Sequence, residues 1–212
     1  MRRKSDSGNT AGMVQSPPRA ARPRHAASLI ALRGGTQILM GLRGARHRFM
    51  PHKLVFPGGG VDLGDARAPA SAEPPAATLA ALRRAASPAL ARAFCAAAAR
   101  ELEEETGLTL GAPPDLSGLD YLCRAVTPPS SPIRFNARFL VVDAGRLSGT
   151  LAGSGELEDL RWLGVADALA LDLALVTREV LQTLQAWLSL PPPARRARPA
   201  TPVFKLRRWR EE

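Results

Sequence analysis

The run from Ser87 to Gly107 constrains the fold of this chain more than any other segment. Ser87-Pro88 supplies an N-cap followed by a proline at the first helical position, the residues beyond it are mostly Ala, Leu, Arg and Glu, and Gly107 supplies a stop. A helix is therefore predicted through Glu105. On such a helix residues three and four apart are neighbours, with Cβ atoms roughly 5 to 6 Å apart, so Glu101 lies beside both Glu104 and Glu105. Glu103 points elsewhere, and Leu102, with Cys95, Ala98 and Ala99 behind it, faces a core.

A solvated acidic face is the competing reading, and the helix end argues against it. Four Glu sit in the last two turns, where the macrodipole disfavours each carboxylate by on the order of 0.3 to 1 kcal/mol and their mutual repulsion adds to the cost. A bound Mg²⁺ or Mn²⁺ relieves both penalties, because hard cations select carboxylate oxygens and water. Glu101, Glu104 and Glu105 are the candidate metal ligands. Arg100, four residues before Glu104, is placed to pair along the helix and to orient a ligand carboxylate.

Around this helix the chain alternates strand and helix signals. Ala26 to Leu32 and Gln37 to Leu42 flank Arg33-Gly34-Gly35-Thr36 as a hairpin, and Leu54-Val55-Phe56 runs into Pro57-Gly58-Gly59-Gly60, where glycines let the backbone pass close to another group. Residues 66 to 86, rich in Ala, Pro and Arg, read as an insertion with one short helix near Thr78 to Arg84. Leu119 to Val126, Arg134 to Val142 and Leu157 to Leu163 read as strands. Val165 to Leu171 and Thr177 to Leu190 read as helices, the second with Val180, Leu181, Leu184 and Trp187 or Leu188 inward. The expected architecture is α/β, a mixed sheet sandwiched between helices.

A formal charge of +10 suggests nucleic acid only if the cations share one folded surface. They do not: residues 1 to 25 carry six Lys or Arg against Asp6, and residues 191 to 212 carry seven against Glu211 and Glu212. That leaves 16 of 29 basic and 16 of 19 acidic residues between them. Residues 1 to 25 are expected to be a disordered basic tail, 26 to 190 the domain, and 191 to 212 a basic Pro-rich tail whose Val203, Phe204, Leu206 and Trp209 give it some capacity to dock. Two cysteines, Cys95 and Cys123, are too few for a disulfide framework. No apolar stretch approaches a membrane span, so a cytoplasmic protein is expected, without membrane partners and compatible with a homodimer.

The helix residues resemble the second half of the Nudix box, Arg-Glu-U-x-Glu-Glu-x-Gly-U with U aliphatic, complete as Arg100, Glu101, Leu102, Glu104, Glu105, Gly107 and Leu108. Gly59 and Asp65, with five residues between them, are similar to the first half, with Asp where the family has Glu. Between Asp65 and Arg100 lie 34 residues where the family has seven, so the box is split by 27, as in a subgroup related to Nudix proteins that act on coenzyme A derivatives. Phe56-Pro57-Gly58-Gly59 and Leu160-Arg161-Trp162-Leu163 extend the likeness over about residues 26 to 190.

The resemblance implies a Nudix fold and divalent-metal hydrolysis of a phosphoanhydride in a nucleoside diphosphate linked to another moiety. Glu104, Glu101 and Arg100 would be catalytic, with Glu104 nominated first as proton acceptor and Glu156, Glu158 and Asp159 as alternatives; Asp65 would support Arg100. Gly58, Gly59, Gly60, Arg46 and Lys53 are the candidate substrate-binding residues, and Tyr121, Phe135 and Phe139 either stack on a base or, as strand aromatics more often do, fill the core. The competing functions are a nucleotide-sensing or nucleic-acid-binding protein without turnover and an oxidised nucleoside triphosphate pyrophosphohydrolase.

Overall fold

The computed structural model describes residues 21–44 and 50–212. Strands β1 (Arg24–Arg33) and β2 (Gln37–Arg43) form the expected hairpin, followed by the short β3 (Leu54–Val55) and β4 (Gly58–Gly60). Helix α1 (Ala76–Arg83) precedes α2 (Pro88–Thr106), and β5 (Leu108–Thr109), β6 (Asp120–Val126), β7 (Phe135–Asp143), β8 (Ser148–Gly149) and β9 (Leu157–Gly164) follow. Then come α3 (Val165–Leu169), α4 (Leu175–Leu188), α5 (Pro192–Arg196), β10 (Pro202–Lys205) and β11 (Arg208–Glu211).

The main sheet runs β11-β10-β6-β7-β1-β2-β3, with β4 also on β1 and β9 also on β2. β1 pairs with β7 and β10 with β6 in parallel; the other ladders are antiparallel. Alternation along β1 feeds two cores. Ala27, Leu29 and Ala31 pack with Phe94, Cys95, Ala98 and Leu102 of α2, whereas Ile30 and Leu32 pack with Val180, Leu181, Leu184 and Trp187 of α4. The sheet is thus covered on both faces, as the sequence pattern predicts, and α2 lies on the face that carries the acidic turn. Its ends are set as expected: the Leu90 N–H donates to Ser87 Oγ (3.2 Å), and Gly107 stops it at φ 71° with its N–H on the Glu103 carbonyl (2.9 Å). Among the described residues no helix is long and apolar enough to cross a membrane.

Two boundaries differ from the expectation. β1 starts at Arg24, so Arg24 and His25, assigned to the tail on composition, belong to the sheet: the backbone of β7 offers them partners in Phe135 and Asn136. The C-terminal segment is integrated as well. β10 adds to the edge of β6, burying Val203 and Phe204, and Arg124 binds Glu212 at 2.6 Å. Two of its cations are engaged, Arg196 on Asp120 (3.0 Å) and Arg195 over the Trp187 ring.

The insertion is packed. Thr78 Oγ1 donates to the Leu119 carbonyl (2.7 Å), Leu82 is 1% exposed, and Ser71 and Ala72 exchange backbone bonds with Pro114 and Leu116. Arg92 of α2 clasps it further, donating to the carbonyls of Asp65, Ala66 and Ala68 and to Glu73. Leu82→Ala should therefore cost about 2–5 kcal/mol, as for a core leucine. Urea unfolding would measure this; a loss of a few tenths would show a pendant insertion.

Candidate active site

The three glycines of β4 grip the acidic end of α2. Gly58 N–H donates to Glu105 Oε2 (2.7 Å), and the Gly60 carbonyl accepts from Arg100 Nη2 (2.9 Å). Between them Gly59 lies so close to Glu101 that a Cβ there would stand 2.6 Å from the Glu101 Cδ. Any larger residue would push the Glu101 carboxylate from the position in which Arg100 holds it. Gly58, Gly59 and Gly60, expected to bind substrate, thus hold the helix carboxylates and also line the adjoining cavity.

Arg100 joins the two halves of the split motif. Its Nε and Nη2 donate to the two oxygens of Asp65 (3.1 and 3.2 Å), and its Nη1 donates to Glu101 Oε1 (2.8 Å) and Glu104 Oε2 (3.0 Å). Asp65, with a side chain only 5% exposed, is fixed in turn by accepting from Asp62 N–H (2.7 Å). These contacts hold the Arg100 pKa above its ordinary value, the Asp65 hydrogen bond contributing most.

Glu101, Glu104, Glu105 and Glu156 line one cavity of about 750 Å³. Burial raises the pKa of Glu101, partly offset by Arg100, with the Glu104 and Glu156 charges adding to the rise. Glu105, 3% exposed, is pushed up to about 7, chiefly by burial; the Gly58 hydrogen bond and Arg43 act against this, while Glu101 and Glu156 reinforce it.

Glu101, Glu104 and Glu105, the expected ligands, share this cavity without being drawn together around one point. Among the described residues no three His, Cys, Asp or Glu side chains are gathered so as to hold a metal ion. The reason is local: Glu105 is drawn to the Gly58 N–H, and Glu101 and Glu104 share the Arg100 guanidinium. The donor chemistry still fits a hard divalent cation, because all four lining carboxylates offer oxygen to one cavity and burial and mutual repulsion raise two of their pKa values.

Other residues fall out differently. Lys53 pairs with Asp172 at 2.5 Å and does not line the cavity; Arg46 lies outside the described residues. Of the alternative bases, Glu156 lines the cavity, whereas Glu158 is paired in β9 and Asp159 faces Arg161 (3.4 Å). Tyr121 is core beneath α2, but Phe135 and Phe139 line the cavity. Sequence reasoning missed Arg43 and Arg207 and read Phe204 only as a docking residue; all three also line it. Arg43 carried no signal beyond being basic at a strand end, and among the described residues its buried Nε makes no hydrogen bond.

Because the folded pKa of Glu105 is raised, its protonated form is the one the fold favours; the associated stability is complete below about 4.5 and is lost as pH rises through about 7. Without divalent metal, Glu105→Gln should stabilise the protein at pH 8 by on the order of 1–3 kcal/mol and much less at pH 5. Urea unfolding at the two pH values measures the gap, and a gap that fails to widen toward pH 8 contradicts this account.

A family model described as the NUDIX domain matches residues 93–184. The structure is similar to that of a NUDIX hydrolase from Alicyclobacillus acidocaldarius, with 26% identity over 78% of this chain and 92% of the other at a TM-score of 0.61. It shares its fold with a MutT NUDIX hydrolase from Burkholderia pseudomallei (23% identity, 77% and 98% covered, TM-score 0.52). The same holds for the E. coli ORF135 protein (20%, 84% and 99%, 0.53). No curated protein matches the sequence. The complete acidic helix, the glycine strand against it and these likenesses together give the chain the fold of Nudix hydrolases, with residues 93–184 matching the NUDIX domain.

Proposed function

We propose that this chain hydrolyses a phosphoanhydride bond in a nucleoside diphosphate linked to a further moiety, with Mg²⁺ or Mn²⁺ as cofactor. The observation that carries this reading is the reunion of Gly59 and Asp65 with the acidic helix despite the intervening insertion: Asp65 binds Arg100, and Gly59 lines one cavity with Glu101, Glu104 and Glu105. Glu101, Glu104, Glu105 and Glu156 are the residues that would hold the cation, which when bound neutralises phosphate oxygens and acidifies water.

The chain's own groups do the rest. Arg100, anchored on Asp65 and the Gly60 carbonyl, orients Glu101 and Glu104. Glu104, whose side chain is 57% exposed, faces the cavity and accepts the proton of the attacking water. The water oxygen bonds to phosphorus, the anhydride P–O bond breaks, and its electron pair leaves with the departing phosphate. Arg43, beside Glu105, is the cation poised for substrate oxygens. Buried, free Cys95 and Cys123 suit a reducing compartment and support a cytoplasmic site of action.

Coenzyme A derivatives belong in the substrate panel on the strength of the split motif alone; the structural likenesses favour no coenzyme A subgroup. Purified protein should release phosphate-containing products from coenzyme A derivatives, dinucleotides or nucleotide sugars only with Mg²⁺ or Mn²⁺. Glu104→Gln should lower kcat by about 10²–10⁴-fold. Unchanged turnover in that variant would remove Glu104 as base, and turnover in excess chelator would remove the metal. Release of pyrophosphate with a nucleoside monophosphate would instead favour triphosphate hydrolysis.

A further inference from the structure

The C-terminal hairpin lies beyond the matched domain, yet it forms part of the cavity wall. The parallel register of β10 on β6 sets Phe204 opposite Ala125, and both line the cavity, as do Phe135 and Phe139. The turn between β10 and β11 consists of Leu206 and Arg207, and Arg207 also lines the cavity.

This turn is unusual in sequence. Leu206 and Arg207 have φ of 53° and 61°, the left-handed pair of a two-residue hairpin turn for which Asn-Gly is the favoured choice. The support is rigid: the Trp209 indole N–H donates to Glu179 (2.6 Å), the Phe204 and Trp209 rings lie 5.2 Å apart, and Arg124 holds the Glu212 carboxylate. Arg207 is exposed and, among the described residues, makes no ion pair. A guanidinium mounted this way, in a cavity that also holds Arg43 beside the carboxylates and several aromatic rings, suits an anionic group on the ligand.

We propose that the hairpin selects the substrate. Phe204, with Phe135 and Phe139, packs against the moiety carried by the diphosphate, and Arg207 pairs with a phosphate on that moiety remote from the cleaved anhydride. The class selected is a nucleoside diphosphate conjugate bearing an additional phosphomonoester. This inference rests on the diphosphohydrolase reading above and goes beyond it in assigning the second phosphate to Arg207.

Two matched pairs isolate that phosphate: coenzyme A with dephospho-coenzyme A, and NADPH with NADH. Their binding is measured by calorimetry on full-length protein carrying Glu104→Gln, with Mg²⁺ present, and their turnover is measured on the wild-type chain. The phosphate-bearing member of at least one pair should bind about 10- to 100-fold tighter, as a charge-assisted hydrogen bond to phosphate implies. Adding Arg207→Ala should abolish the preference and Arg207→Lys should restore part of it. Arg208→Ala, which removes the same charge from a residue that does not line the cavity, should preserve it.

Equal affinity within both pairs, a preference that survives Arg207→Ala, or no binding of any of the four would overturn the proposal. Discrimination without hydrolysis would uphold it while removing the hydrolase reading, and hydrolysis without discrimination would do the reverse.

Discussion

The guanidinium of Arg100 is the contact on which the arrangement of the site depends. It reaches back to Asp65 and the Gly60 carbonyl and forward to Glu101 and Glu104, so one side chain fixes where the glycine strand sits relative to the acidic turn. A half-buried arginine hydrogen-bonded to three carboxylates is strongly held in its charged form, and removing it would leave Asp65 buried without its countercharge. Glu105, which Arg100 does not reach, has its pKa raised by burial, against which act the Gly58 N–H and the Arg43 charge.

The same contact explains how the chain accommodates an insertion within its functional motif. Residues 66 to 86 leave Asp65 and return at Ser87 without displacing either end, because Arg92 ties the first turn of the insertion to α2 through three carbonyls while Thr78 and Leu82 seat α1 on the core. Two arginines eight residues apart on α2 divide the task. Arg92 holds the backbone around Asp65, and Arg100 binds its carboxylate.

Much of the framework was legible in the sequence, for local reasons. The ends of α2 follow from Ser87-Pro88 and Gly107, and α4 buries Val180, Leu181, Leu184 and Trp187 in the periodic order of its apolar residues. The lateral order of the sheet was not legible: nothing near Val203 announces a parallel partner in β6, because that pairing is chosen by packing across residues far apart in the chain. Helical spacing correctly placed Glu101, Glu104 and Glu105 on one cavity but could not show that Gly58 and Arg100 would claim their oxygens. Arg43 and Arg207 escaped notice, and Phe204 was read only as a docking residue, since a lone basic or aromatic residue in a strand or turn has no local signature until the sheet closes around a cavity.

The central claim is that Asp65 and Arg100 act as one unit across the insertion, and a double-mutant cycle tests it most directly. The unfolding free energies of the wild-type chain, Asp65→Asn, Arg100→Gln and the double variant would be compared by urea titration. The account predicts a coupling of about 1–3 kcal/mol, as for residues in one buried ion-pair network. Single-variant losses that add to within about 0.5 kcal/mol would contradict it.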